Sequence, residues 1–275
     1  MLAQRLLTAF ILVPVIVGTF LLGTPWLVAL ILLVALLAAR EAFTMLGRDG
    51  HPVLPLLGVA LAVAITATGA LPIDPPLAAY VPAAGVILVA IAAFRWADPG
   101  DGAEAWVRTV FGAAYIGLLA FILRILILDP PLPAGAPLAW FGGGRAWLIA
   151  LVAGVWTYDS AAYATGRLLG RHKFMPHISP KKTWEGVIGG IAGATAVSAL
   201  VLWGLGRSPL EALALGPLIA VTAQAGDLAE SVLKRATGVK DSGTIFPGHG
   251  GMLDRIDSFL FAAPAVAFYV AVVTL

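Results

Sequence analysis

The chain has 275 residues, 60% of them hydrophobic and only 12% charged, roughly half the charged share of a soluble globular protein. That leaves too little polar surface to cover a water-soluble fold of this size, so the sequence reads as an integral membrane protein. No cysteine is present, which excludes disulfides, thiolate zinc sites and cysteine nucleophiles. The net charge of +2 says less than where the charges fall, and no nucleic-acid partner is expected.

A helical span needs about 20 mostly apolar residues, and runs of this kind lie at 6–22, 26–46, 53–71, 77–94 and 107–128. Four more, at 146–165, 184–205, 213–232 and 258–275, include polar interruptions. Runs this long without strict alternation exclude barrel strands. The expectation is an all-α polytopic membrane protein of about nine transmembrane helices. With the N-terminus in the cytoplasm, only Arg124, Arg145 and Arg207 of the 17 basic residues fall outside. The positive-inside rule therefore predicts a cytoplasmic N-terminus and a C-terminus outside. The first run follows Arg5, is longer than a signal-peptide core and has no small-residue cleavage site behind it; it reads as a retained span. The runs within 1–145 are plain, joined by turns such as LPIDPP and ADPGDG, and are expected to be scaffold. Residues 146–275 are expected to hold the catalytic helices and cytoplasmic loops, both parts forming one integrated membrane domain.

The polar residues after Trp156 fall into three clusters. The first is VWTYDSAAYATGRLLGRHKFMPHISPKKTWEG, 155–186. Asp159 and Tyr163 are four apart and share a helix face. An acid in an apolar run usually points into a bundle or cavity, although a pairing with a neighbouring Arg or Tyr between helices also accounts for it. Arg167, Arg171 and Lys173 are explained equally well by anionic lipid. In SPKKTWEG, Ser179 or Thr183 suits a helix cap, Pro180 ends the preceding structure, and Lys181 and Lys182 suit a phosphate-rich ligand.

The second cluster is QAGDLAESVLKR, 224–235. Asp227, Glu230, Ser231 and Lys234 follow i, i+3, i+4, i+7 spacing and form one stripe. Two carboxylates and a hydroxyl on one face can hold a hard cation. The competing reading is a Glu230–Lys234 pair on a helix emerging into water, which leaves Asp227, a turn deeper, unexplained. The third cluster is GTIFPGHGG followed by DRID. Its glycines let backbone approach a ligand closely, and successive N–H groups there can form an anion nest. Asp254 and Asp257 open the last span, where the helix dipole alone favours one acid but not two interleaved with Arg255. By the N-in arrangement all three clusters lie at the cytoplasmic end. Acids for a divalent metal and bases for phosphates point to transfer of a phosphate-bearing group at a membrane face. There is no P-loop and no kinase-type catalytic loop.

The stretch SVLKRATGVKDSGTIFPGHGGMLDRIDS, 231–258, resembles the signature of the phosphatidate cytidylyltransferases, the CDP-diacylglycerol synthases. Matching positions are Ser231, Leu233, Lys234, Arg235, Lys240, Asp241, His249, Gly250, Gly251, Asp254, Arg255 and Asp257. SPKKTWEG, GDLAES and the opening QRLLTAFILVPV are similar to family segments as well. The resemblance implies that CTP and phosphatidic acid give CDP-diacylglycerol and pyrophosphate, for phospholipid biosynthesis. It implies Asp227 and Asp254 as ligands of Mg²⁺ or another divalent cation, with room for a second metal ion. Lys181, Lys182, Lys234, Arg235, Lys240 and Arg255 would neutralise triphosphate and phosphatidate, with Ser231, Gly250 and Gly251 beside them. Asp241 and Asp257 would hold those bases, and His249 would donate a hydrogen bond to phosphate. The resemblance further implies a homodimer in the inner (plasma) membrane, multi-pass, with its active site facing the cytoplasm. A cytidylyltransferase acting on another lipid phosphate is the alternative. A transporter predicts midplane charges and paired broken helices, which this sequence lacks; the D-G…A-R…G…D…D pattern of CDP-alcohol phosphotransferases is also absent.

Overall fold

A computed structural model describes residues 13–71, 77–246 and 250–274. The start of the first expected span and His249 lie outside the described residues. The chain is mainly helical: α1 (Val13–Leu22), α2 (Thr24–Leu46), α3 (Pro55–Thr68), α4 (Leu77–Ala93), α5 (Pro99–Gly117), α6 (Ala120–Leu128), α7 (Gly143–Leu169), α8 (Trp184–Gly204), α9 (Ala212–Ala236) and α10 (Leu253–Thr274). Among the described residues, five helical segments are long and apolar enough to cross a membrane: Thr24–Leu46, Pro99–Leu128, Trp184–Gly204, Pro209–Ala236 and Leu253–Thr274. At about 1.5 Å per residue each of these reaches roughly 30 Å or more. α1, α3 and α4 are apolar but shorter.

Two differences from the sequence expectation are local. The expected all-α chain contains a small antiparallel hairpin, β1 (Lys173–Met175) with β2 (Ser179–Thr183). Pro180 withholds the N–H a helix would need there, and the hairpin closes where the Trp184 N–H donates to the His172 carbonyl at 2.9 Å. The single run expected at 107–128 is two helices, α5 and α6, broken at Leu118–Leu119.

The helices form two compact units, Met1–Leu123 with Lys234–Ile256, and Arg124–Leu233 with Asp257–Leu275. In the first, the Phe43 ring of α2 fills the space where a Cβ on Gly58 of α3 or Gly112 of α5 would stand, so three backbones close around one aromatic core residue. Arg108 of α5 donates to the Leu46 carbonyl at 2.9 Å, satisfying an orphan acceptor at the end of α2. In the second unit, α7 and α8 pack through small residues. Gly186 and Gly193 of α8 leave room for Ala162 and Ala161 of α7, and a Cβ on Gly190 would stand 2.5 Å from the Tyr158 ring. In a bilayer such close approach supplies the dispersion contact that the hydrophobic effect cannot.

Candidate active site

Among the described residues, each unit holds a lysine–carboxylate pair. In the second, the α7–α8 contact fixes Tyr158, whose buried hydroxyl donates to Gln224 Oε1 of α9 at 2.6 Å. About one turn further along α9 stands Asp227, a third exposed, bonded to Lys182 Nζ at 2.7 Å. The Ser231 hydroxyl lies 3.4 Å from the other Asp227 oxygen. Lys182 comes from β2 and is partly buried, whereas its neighbour Lys181 is exposed. β2 ends at Thr183, whose hydroxyl caps α8 by accepting from the Gly186 N–H at 3.2 Å, so of the two expected caps it is Thr183 that serves. Gly226 lies against the backbone of Asp257 and Ser258, bringing the opening of α10 beside α9. Asp257 Oδ1 accepts from the Ser258 N–H at 2.7 Å.

The other pair is built around Asp254, in the first turn of α10. Its Oδ1 bonds Lys234 Nζ at 2.7 Å. Its Oδ2 accepts from the Ser242 N–H at 2.9 Å, the Ser242 hydroxyl at 2.8 Å and the Gly251 N–H at 2.7 Å. Lys234 stands at the end of α9, which closes with a Schellman arrangement: the Val239 N–H reaches the Lys234 carbonyl at 2.9 Å, and Gly238 takes φ +66°, a conformation that favours glycine. Gly250 has φ +81°, and a Cβ there would press on the Asp254 carboxylate. Arg235, Lys240, Asp241 and Arg255 are exposed.

One expectation is reversed. Glu230, read as a residue on a helix emerging into water, is fully buried, whereas Asp227 is partly exposed. The stripe is the one the spacing gives, but the neighbours packed on α9 decide which member meets solvent. Three residues of this architecture were not singled out from the sequence: Ser242, Gln224 and Glu41. Glu41 belongs to α2, within the part read as plain scaffold; an acid in an apolar run was the available signal.

The described residues include no group of three or more His, Asp or Glu side chains that would hold a metal alone. Each lysine pair contributes a single hard oxygen donor group instead. That donor set fits Mg²⁺, which uses one or two carboxylates and takes its other ligands from substrate phosphates and water.

Carboxylates tied to lysines on apolar helices, one of them held against a glycine-bearing loop, suit a helical membrane protein that handles charged, phosphate-bearing ligands. The sequence pattern of the cytidylyltransferase family matches residues 3–273, and the chain belongs to that family. It is 33% identical to the phosphatidate cytidylyltransferase of Synechocystis over 97% of this chain and 96% of that protein. It is 41% identical to the phosphatidate cytidylyltransferase of Brucella suis over 58% of this chain and 56% of that protein, and 41% identical to that of Mycobacterium bovis over 48% and 43%. Family membership sets the transporter reading aside.

Proposed function

We propose that this chain is a membrane phosphatidate cytidylyltransferase, joining CTP to phosphatidic acid to give CDP-diacylglycerol and pyrophosphate. The observation that carries the reading is the four-bond seat of Asp254, itself a signature position, to which the signature residues Lys234 and Gly251 give one bond each and Ser242 gives two. A phosphate-monoester oxygen of the lipid attacks the α-phosphorus of CTP; the new P–O bond forms as the bond to the β-phosphate oxygen breaks, and pyrophosphate leaves. A phosphate monoester is largely ionised near neutral pH, its second pKa being about 6, so no strong general base is needed. Catalysis is positioning and charge neutralisation.

Lys181, Lys182, Lys234, Arg235, Lys240 and Arg255 balance the triphosphate and the lipid phosphate. Ser231, Gly250 and Gly251 contribute hydroxyl and backbone donors, Asp241 and Asp257 orient the bases, and His249 donates to phosphate. Asp227 and Asp254 are the carboxylates that would hold Mg²⁺, which when bound supplies electrophilic charge at the phosphates. The chemistry is assigned to 146–275 and membrane support to 1–145. We also assign about nine spans, a cytoplasmic N-terminus and active site, an outer C-terminus, an inner-membrane location and a homodimer. The basic residues on one side of the apolar runs support the orientation.

The test is incorporation of labelled CTP into chloroform-extractable lipid by purified protein in detergent. Label that requires phosphatidic acid and Mg²⁺, and that is lost in Asp254→Asn, is the expected result. Folded wild-type protein that labels a different lipid phosphate instead establishes the alternative acceptor; labelling of none overturns the proposal.

A further inference from the structure

Glu41 is the acid furthest in sequence from the signature, yet it sits under the signature loop. It lies on α2 with its side chain buried, only 7% exposed. Its Oε2 accepts from the Leu253 N–H at 2.9 Å and from the Ser242 hydroxyl at 3.2 Å. Ser242 in turn donates its N–H to Asp254 Oδ2 at 2.9 Å, and its single hydroxyl proton is shared between Asp254 Oδ2 at 2.8 Å and Glu41 Oε2 at 3.2 Å. A connected path therefore runs from Glu41 through Ser242 to Asp254 and on to Lys234. The Leu253 bond is a second path, because Leu253 immediately precedes Asp254 at the start of α10.

The glycines of the loop report the same contact. A Cβ on Gly243 would run into the Glu41 carboxylate, and one on Gly251 would run into Glu41 and the Ser242 hydroxyl. Neither glycine has a positive φ. Their smallness is demanded by the carboxylate and not by the backbone angle. Glu41 Oε1 is buried with no hydrogen-bond partner among the described residues. A buried carboxylate with so few donors is an expensive way to fill space, and an apolar side chain would hold α2 in place at lower cost. What an apolar residue could not do is bind Ser242 and Leu253.

We infer that Glu41 is a positioning residue for the cytidylyl-transfer site: it holds Ser242 and the first turn of α10 so that the Asp254 carboxylate and its Lys234 partner are set before substrate arrives. The inference rests on the activity proposed above for its kinetic part, but not for its structural part. Residues that orient ligating carboxylates typically contribute about 10- to 100-fold, so Glu41→Ala is expected to lower kcat by that amount. It should also raise KM for CTP. A general loss of folded enzyme would instead lower the active fraction without shifting KM. Glu41→Gln keeps an oxygen able to accept from both donors, and should stay within about a factor of ten of wild type, because a neutral acceptor makes roughly half as strong a bond.

Hydrogen exchange supplies a readout independent of activity. In Glu41→Ala the amides of Ser242, Gly251 and Leu253 should exchange faster, with the Gly186 amide under its Thr183 cap unchanged. Gly243→Ala closes the test. It should be harmful in the wild-type background and add little to Glu41→Ala, since truncation removes the group its methyl would strike. Unchanged exchange at the three loop amides, or full additivity of Gly243→Ala with Glu41→Ala, overturns the inference. Should wild-type protein make no labelled lipid, the functional proposal fails while the exchange and additivity results still decide the role of Glu41.

Discussion

The two lysine–aspartate pairs have the same N–O separation, 2.7 Å, and differ in burial, so they test whether distance or environment sets an ion pair's worth. At 2.7 Å two unit charges attract by about 1.5 kcal/mol in bulk water and about 6 kcal/mol at an effective dielectric near 20, before desolvation. Lys182 and Asp227 are 21% and 34% exposed, which leaves both ions hydrated. Such a pair couples by about 1 kcal/mol or less. Lys234 and Asp254 are 15% and 8% exposed, and removing one partner there strands a poorly solvated charge at a cost of about 3–5 kcal/mol. Double-mutant cycles built from Lys→Met and Asp→Asn at each pair measure the coupling directly. Unfolding of purified protein in mixed micelles of increasing SDS content is the assay. The expected couplings are about 1 kcal/mol for Lys182–Asp227 and about 3 kcal/mol for Lys234–Asp254. Equal couplings, or a larger one at the more exposed pair, would refute the claim that burial decides, and with it the description of Asp254 as the anchored carboxylate.

Two further outcomes follow from local geometry. Thr183→Ala removes the α8 cap and should cost about 1 kcal/mol in the same unfolding assay, with Thr183→Ser close to wild type. Gly190→Leu drives a side chain into the Tyr158 ring and should separate α7 from α8, detected as loss of folded protein on size exclusion; Gly190→Ala should be milder, and a stable Leu variant would contradict the close packing.

Much of this protein was legible in its residues. The shortage of charge places it in a membrane, because a bilayer is the solvent that an apolar surface of this extent suits. The spacing of Asp227, Glu230, Ser231 and Lys234 is a helix face wherever the helix sits, since the period is a property of the backbone. The signature around Lys234, Asp254 and Gly250 marks the family because so many polar positions are fixed within one short stretch.

Other features depended on what the chain meets in three dimensions. Periodicity assigns residues to a face but not a neighbour to that face, and so Glu230 rather than Asp227 is the buried member of the stripe. The SPKK segment pairs as a strand instead of opening a helix, a choice made by a hairpin partner and by Pro180. Glu41 reads as one acid in an apolar run until folding carries it more than two hundred positions along the chain to Ser242 and Leu253. Sequence determined the solvent, the periods and the chemistry at hand. Tertiary structure decided which charges are paired, which are buried and which distant helix steadies the loop, because hydrogen bonds and desolvation act over a few ångströms regardless of separation along the chain.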